Sequence, residues 1–303
     1  MLDVTLLGCG GMLPMKERWL TSCLISCQGH SILIDCGEGT QIALKYAEKK
    51  TKPVDLICIT HFHADHISGL TGFLLSMGNE GRTDPVVIAG PPGIEKTVKC
   101  LLVIAPNLPF EVVCKEVTPS IPFQSGLLTV TPFEAKHSLR CFGYSVELNR
   151  KAKFSTEKAK SNSVPMCIWS QLQKDGEVSY DGKKYFYSDV SEGKRKGLKV
   201  TYCTDSRPAD TISQFAKGSD LFICEGLYYD PEKFDRALKT KHMMFEEAAR
   251  LAKNAEVSRL WLTHFSPAVQ TPEEGLEFAK KIFPPSECGY DGRNIVLTFD
   301  DDE

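Results

Sequence analysis

Two sheets packed face to face with helices outside them, a four-layer αββα sandwich of the α+β class, is the fold this sequence predicts. Three observations lead there. Strand-like apolar runs dominate both halves of the 303-residue chain, and a helical pattern follows several of them. The halves have similar content without a repeat of about 20–50 residues. Six of the seven histidines, all but His30, fall at strand ends or helix starts, where rigid backbone holds ligands better than a mobile loop does.

The elements follow in order. Residues 3–7 read as a first strand, ended by Gly8-Cys9-Gly10-Gly11, whose glycines permit a tight turn and close backbone approach. A loop carrying Lys16 and Arg18 comes next. Residues 23–27 and 30–35 alternate apolar and polar, and Gln28-Gly29 between them reads as a hairpin turn. Asp35-Cys36-Gly37-Glu38-Gly39-Thr40-Gln41 leads into a helix over 41–49. Residues 54–59 form a buried strand, and Ile67, Leu70, Phe73 and Leu74 give 66–77 a helical spacing. A strand at 86–89, a helix at 94–104 and strands at 111–114, 127–135 and 143–148 complete the first half. Beyond residue 198, strands are expected at 198–204, 221–225, 259–263 and 294–299. Helices are expected at 245–255 and 272–282, and residues 226–241 read as loop.

Composition bounds the rest. A hydrophobic content of 42% and a charged content of 25% are those of an ordinary globular protein. No basic region followed by an apolar stretch opens the chain, and no apolar run reaches membrane-spanning length. The expectation is a cytoplasmic protein with no membrane partner. The 12 cysteines form no C-x-x-C pair and sit mostly in strand-like runs, so they read as reduced, buried thiols. The net charge of −3 does not advertise nucleic-acid binding. Residues 150–199, however, hold twelve basic and six acidic residues, a net +6, which leaves −9 on the remainder. A basic segment on an acidic body suits a polyanion-gripping appendage. Residues 150–198 lack strong periodicity, apart from a short helix at 154–160 with Ser155 as N-cap. The apolar patch Val164-Pro165-Met166-Cys167-Ile168-Trp169 in their middle reads as a docking element.

The chemistry concentrates in Thr60-His61-Phe62-His63-Ala64-Asp65-His66, behind the strand at 54–59. On extended backbone, His61 and His63 point the same way. Asp65 and His66 then enter a turn into a helix and can face a second point a few ångströms away. Imidazoles suit zinc, and a carboxylate adds charge and a proton acceptor. His137, just past a strand, is expected to join as a ligand. Asp35 and Glu38 are candidates to orient the ligating imidazoles, which need partners for their other nitrogen. Asp205 and Glu225 each end a strand, His242 opens a helix, and His264 follows another strand.

This metal motif resembles the signature of the metallo-β-lactamase superfamily. Further motifs resemble one branch of it, the ribonuclease Z family of tRNA 3′-processing endonucleases. They are Leu6-Leu7-Gly8-Cys9-Gly10-Gly11 with Pro14-Met15-Lys16-Glu17-Arg18, the stretch from Asp35 to Gln41, Thr204-Asp205-Ser206-Arg207-Pro208, and Leu262-Thr263-His264-Phe265-Ser266. The resemblance covers nearly the whole chain. It implies one metallo-β-lactamase-like domain over 1–303, with 150–198 as an inserted flexible, basic arm and tRNA-binding exosite.

By that resemblance His61, His63 and His137 would hold one zinc, Asp65, His66 and His264 the other, and Asp205 would bridge them. That makes two Zn2+ per subunit about 3.5–4 Å apart, with Mn2+ or Fe2+ accepted by the same ligands. Activated water would attack the phosphorus, with Asp65 doubling as its proton acceptor. His242 would protonate the leaving 3′-oxygen, Glu225 would orient His242, and Lys16 and Arg18 would lie near the acceptor end. The implied partners are precursor tRNA and a second subunit, because arms in this family reach tRNA held by the other protomer. The chain departs from the family pattern at Cys224-Glu225-Gly226-Leu227, Val164-Pro165-Met166-Cys167 and Ser266-Pro267-Ala268-Val269. Those departures leave an alternative, a hydrolase of the same fold acting on a small or otherwise non-tRNA phosphodiester.

Overall fold

The computed structural model describes residues 1–299. They form two compact units, one of residues 1–148 with the chain from Leu198 onward, the other of Asn149–Gly197. The larger unit is built on two seven-stranded sheets. The first runs Arg293–Leu297, Leu2–Gly8, Ser22–Cys27, His30–Ile34, Val54–Cys58, Val86–Gly90, Val112–Glu116. Its first three pairings are antiparallel and its last three parallel. The second sheet runs Ser286–Cys288, Leu260–Thr263, Leu221–Glu225, Arg195–Cys203, Cys141–Arg150, Leu128–Ala135, Phe123–Ser125.

Side-chain alternation divides each strand between two cores. Leu56 and Cys58 join the large cluster shared with Phe133, Phe142 and Tyr144 of the second sheet. Ile57, from the same strand, and Ile59 just past it join Leu70, Phe73 and Leu74 beneath the helices. Each such buried side chain contributes roughly 1.5–3 kcal/mol. The helices Thr40–Tyr46, Leu70–Asn79 and Ile94–Leu101 cover one outer face. Residues of Asp210–Ala216, Phe245–Asn254 and Leu276–Lys280 pack into the large cluster. This is the four-layer arrangement that the sequence predicts.

Local departures have local causes. Gln28 and Gly29 both take positive φ, 49° and 85°, which makes the turn between the second and third strands a tight two-residue one. The helical spacing over 66–77 is two helices, Ala64–Ile67 and Leu70–Asn79. They break at Gly69, where a Cβ would stand 2.1 Å from the Gly37 carbonyl oxygen. The 94–104 and 272–282 patterns contain 3-10 turns at Leu102–Ile104 and Pro272–Gly275. Sequence reading missed the helices Asp210–Ala216 and Phe234–Thr240. The second buries only Ala237, so it shows no apolar stripe.

The smaller unit holds more regular structure than the one short helix expected in it. Lys153–Phe154 pairs with Ser191–Glu192, Glu177–Tyr180 with Lys183–Phe186, and two helices span Thr156–Ser161 and Trp169–Asp175. Ala159, Val164, Ile168, Leu172, Val178 and Val190 form its own core. Ser155 does cap its helix, its Oγ accepting from the Lys158 amide at 3.3 Å. The patch read as a docking element is half core: Val164 and Ile168 are buried, while Met166 and Cys167 are exposed. All 12 cysteines are free thiols, and no described helix is long and apolar enough to cross a membrane. Leu172→Ala should remove about 2–5 kcal/mol from the small core. Limited proteolysis should then cut within 149–197 far faster than in the wild type, and an unchanged cleavage rate would show that this core is not what holds the unit.

Candidate metal centre

The site is built at strand ends. Val54–Cys58 leads to His61 and His63, Leu128–Ala135 to His137, Arg195–Cys203 to Asp205, and Leu260–Thr263 to His264, while Leu221–Glu225 ends on Glu225 itself. Three of the residues there have left-handed backbone: Asp35 at φ 60°, Asp205 at φ 51° and His264 at φ 58°. Non-glycine residues persist in that region only where their surroundings enforce it. Here the enforcement is visible. The Asp35 amide donates to Cys58 O at 2.8 Å, and the Gly11 amide to Phe265 O at 3.0 Å. A Cβ on Gly11 would stand 2.6 Å from the His264 ring, so glycine is required at that approach.

Two main groups of ligand atoms converge across Asp205. His61, His63, His137 and Asp205 form the first, and Asp65, His66 and His264 the second; Asp205, His242 and His264 also converge as a third set that overlaps both. In the first, His61 Nε2 lies 2.8 Å and His137 Nε2 3.2 Å from His63 Nδ1. Asp205 Oδ2 stands 3.6 Å from both His61 and His137 Nε2. In the second, His66 and His264 Nε2 are 3.2 Å apart, Asp65 Oδ2 is 3.7 Å and 3.4 Å from them, and Asp205 Oδ1 is 3.1 Å from each.

The outer hydrogen bonds decide which nitrogens face inward. Thr60 Oγ1 gives its only proton to Asp35 Oδ2 at 3.0 Å, so it accepts from His61 Nδ1 at 3.0 Å and leaves a lone pair on Nε2. His66 Nδ1 donates to Asp35 Oδ2 at 2.7 Å, and His137 Nδ1 to Lys241 O at 3.3 Å. Asp35 therefore holds the ring of His66, a candidate ligand, in place. Glu38 is exposed and does not. Burial holds His61, His63 and His137 below the usual histidine range, which keeps their lone pairs available. Burial pulls His66 down too, but the Asp205 and Asp35 carboxylates outweigh it and hold it well above, a demand for positive charge at that position.

Converging lone pairs and carboxylates would repel one another without a cation between them. The buried Asp205 Oδ1 has no well-formed hydrogen bond, although two imidazole nitrogens stand beside it. A buried polar atom in that condition is costly unless an ion completes it. The donor set of nitrogen and carboxylate oxygen suits zinc and its neighbours, so these residues fit a metal.

Beside the metal groups stands His242. Its Nδ1 donates to Glu225 Oε2 at 2.9 Å, and the other Glu225 oxygen accepts from the Ser206 amide. Burial lowers His242, but the Glu225 carboxylate prevails and pushes it up to about 9. The loop carrying it is tied down by Arg207, which donates to His242 O at 2.6 Å and pairs with Glu247. Thr60, Ser206, Arg207 and Glu247 were not singled out in the sequence. Ser206 and Arg207 lie inside a motif already quoted, and Glu247 carries no local signal.

Of the two cations assigned to the substrate, Lys16 is exposed. Arg18 is a correction. It is buried and donates to Val269 O at 2.9 Å and Gln270 O at 3.0 Å, under the Phe265 ring, so it fastens loops instead of facing substrate. A cavity of about 390 Å³ opens onto the metal groups, walled by Met12, Leu227 and Tyr228 and by Arg236, Lys239 and Lys241.

Known proteins resemble the chain along its whole length. Ribonuclease Z of Agathobacter rectalis is 49% identical over 303 residues, covering 100% of both chains. Ribonuclease Z of Clostridium acetobutylicum is 48% identical over 307 residues, covering 99% of each. The family profile described as anti-Pycsar protein Apyc1 matches residues 2–166, and that of the beta-lactamase superfamily domain matches residues 190–265. Human tRNase Z, short form, superposes with a TM-score of 0.70 at 23% identity, covering 98% of this chain and 100% of its own. The metallo-β-lactamase fold protein YhfI of Bacillus subtilis gives 0.70 at 20% identity, covering 97% and 98%. These two likenesses establish the fold.

Asp205→Ala should weaken metal binding by more than about tenfold, since even an outer partner of a ligand is worth roughly 10–100-fold. Metal content by mass spectrometry after dialysis measures it, and wild-type content in the variant would remove Asp205 from the ligand set.

Proposed function

The chain belongs to the ribonuclease Z family, and from that membership we infer that it is a metal-dependent endoribonuclease that removes the 3′ trailer from precursor tRNA. Its cut falls after the discriminator base and its place of work is the cytoplasm. The observation that carries the mechanistic reading is Asp205, whose two carboxylate oxygens each face a separate group of imidazoles. We assign His61, His63 and His137 to one zinc and Asp65, His66 and His264 to the other, with Asp205 shared. Two such ions, when bound, would supply an activated water and neutralise charge on the phosphoryl oxygens.

The protein's own groups do the rest. Asp65 takes up the proton of the attacking water. Its Oδ2 accepts from the Met12 amide at 2.6 Å, which fixes the carboxylate. Burial raises Asp65, but the neighbouring His264 and His66 outweigh it and hold the carboxyl below its usual range. His242 carries on Nε2 the proton that the leaving 3′-oxygen takes. Glu225, across Nδ1, keeps that imidazole protonated and aimed. The folded unit Asn149–Gly197, with its excess of lysine, supports a grip on the body of the tRNA. The protein is expected to act as a homodimer, as the arm's reach in this family implies.

Two experiments test this. Purified, zinc-loaded protein should cut a precursor tRNA once, after the discriminator base; turnover of a small chromogenic phosphodiester without any tRNA cut would point instead to a different phosphodiester substrate. His242→Ala should slow tRNA cleavage by about 10²–10⁴-fold at unchanged metal content, and a parallel loss of zinc would make His242 a ligand instead of a proton donor.

A further inference from the structure

The helix Phe234–Thr240 lines the cavity over the metal groups with Arg236 and Lys239, followed directly by Lys241. Positions 236 and 239 lie three apart, so both cations share one helix face, where like charges repel. The sequence offers each a partner one turn earlier, Glu232 for Arg236 and Asp235 for Lys239. Neither pair forms, and neither cation makes any other ion pair among the described residues. Lys241 is engaged differently, its Nζ donating to His137 O at 3.1 Å. Arg236 and Lys239 thus line the cavity with their charges uncompensated by any described residue, on a body that is acidic outside its small basic unit.

The helix is also held in place. Ala237 is fully buried, the His242 amide donates to Ala237 O at 2.8 Å, and the Arg207 guanidinium lies 5.7 Å from the Phe234 ring centre. One short element therefore fixes the backbone positions of both cations relative to His242. An uncompensated guanidinium and ammonium, exposed one turn apart on a helix that is itself held, match phosphate chemistry, the guanidinium by bidentate hydrogen bonding and the ammonium as a point charge.

We propose that Arg236 and Lys239 form a subsite for the backbone phosphates that flank the cleaved bond of a single-stranded RNA 3′ end. This rests on the reading of the substrate as RNA. The subsite holds the chain on either side of the reacting phosphate, so its contribution falls on binding and not on the chemical step.

The test uses the zinc-loaded full chain and a labelled eight-nucleotide single-stranded RNA, titrated at several salt concentrations. Wild type, Arg236→Gln/Lys239→Gln and the charge-preserving Arg236→Lys/Lys239→Arg are compared, with circular dichroism and metal content as controls on folding. Neutralising both residues should weaken binding about tenfold or more and flatten the salt slope by about 1.4, at roughly 0.7 per lost phosphate contact. It should also raise KM for precursor tRNA at little change in kcat, while the charge-preserving variant keeps the wild-type slope. Unchanged affinity and slope in the neutral variant, equal losses in both variants, or no RNA binding by wild type would each overturn the proposal. Cleavage of precursor tRNA by wild type, run alongside, judges the substrate reading separately: its failure with the RNA-binding slopes as expected would overturn that reading and leave the subsite standing.

Discussion

A carboxylate with no solvent contact, Asp35, ties the metal loop to the sheet beneath it. It accepts from the Thr60 amide at 2.8 Å, from the Thr60 hydroxyl at 3.0 Å and from His66 Nδ1 at 2.7 Å. Its own amide donates to Cys58 O, at the end of the neighbouring strand. Burial pushes the Asp35 carboxyl up, and the bonds from His66 and Thr60 pull it back. A charge that deep is tolerable only with all its partners in place. The same three bonds set the orientation of His66 directly and of His61 through the threonine hydroxyl.

Around that anchor, the site is a meeting of two sheets. The Tyr144 hydroxyl of the second sheet donates to Ile59 O at 2.7 Å, and the Phe142 amide to Thr60 O at 3.0 Å, so the histidine loop is bonded to the opposite layer. Asp205 and His264 come from that opposite layer and complete ligand groups begun by the first. The backbone at Asp35, Asp205 and His264 is left-handed, and the His264 ring packs so closely on Gly11 that a Cβ there would stand 2.6 Å from it. Preorganisation of this kind lets the ligands meet a cation without rearrangement.

A second network positions His242. Glu225 takes the Ser206 amide on one oxygen and His242 on the other, and Arg207 joins the His242 carbonyl to Glu247. The Arg207 amide in turn donates to Lys136 O beside His137. The loops carrying His137, Asp205 and His242 are therefore one hydrogen-bonded assembly, and the cationic helix ends directly on it.

How much of this was legible depends on whether the signal is local. Most strands of the two sheets and the longer striped helices were readable, because alternation and helical spacing are written in consecutive residues such as those of Val54–Cys58, whereas the three-residue edge strands Phe123–Ser125 and Ser286–Cys288 were too short to show a pattern. The histidine-aspartate stretch was readable because four ligand-type residues in six positions have no ordinary structural use. The helix Phe234–Thr240 was not, since a helix that buries one alanine has no periodic pattern. The core of Asn149–Gly197 was hidden although Val164, Ile168 and Leu172 recur every four residues, because polar and charged neighbours dilute the stripe. Arg18 shows the opposite failure, a cation in a plausible loop that the fold turns inward to Val269 and Gln270. The sequence by itself determined which residue types were available and on which strand ends they would stand. Only the tertiary structure decided which of them meet, because residues as distant as His66 and His264 come within 3.2 Å through the packing of two sheets and not through any property of their neighbours in the chain.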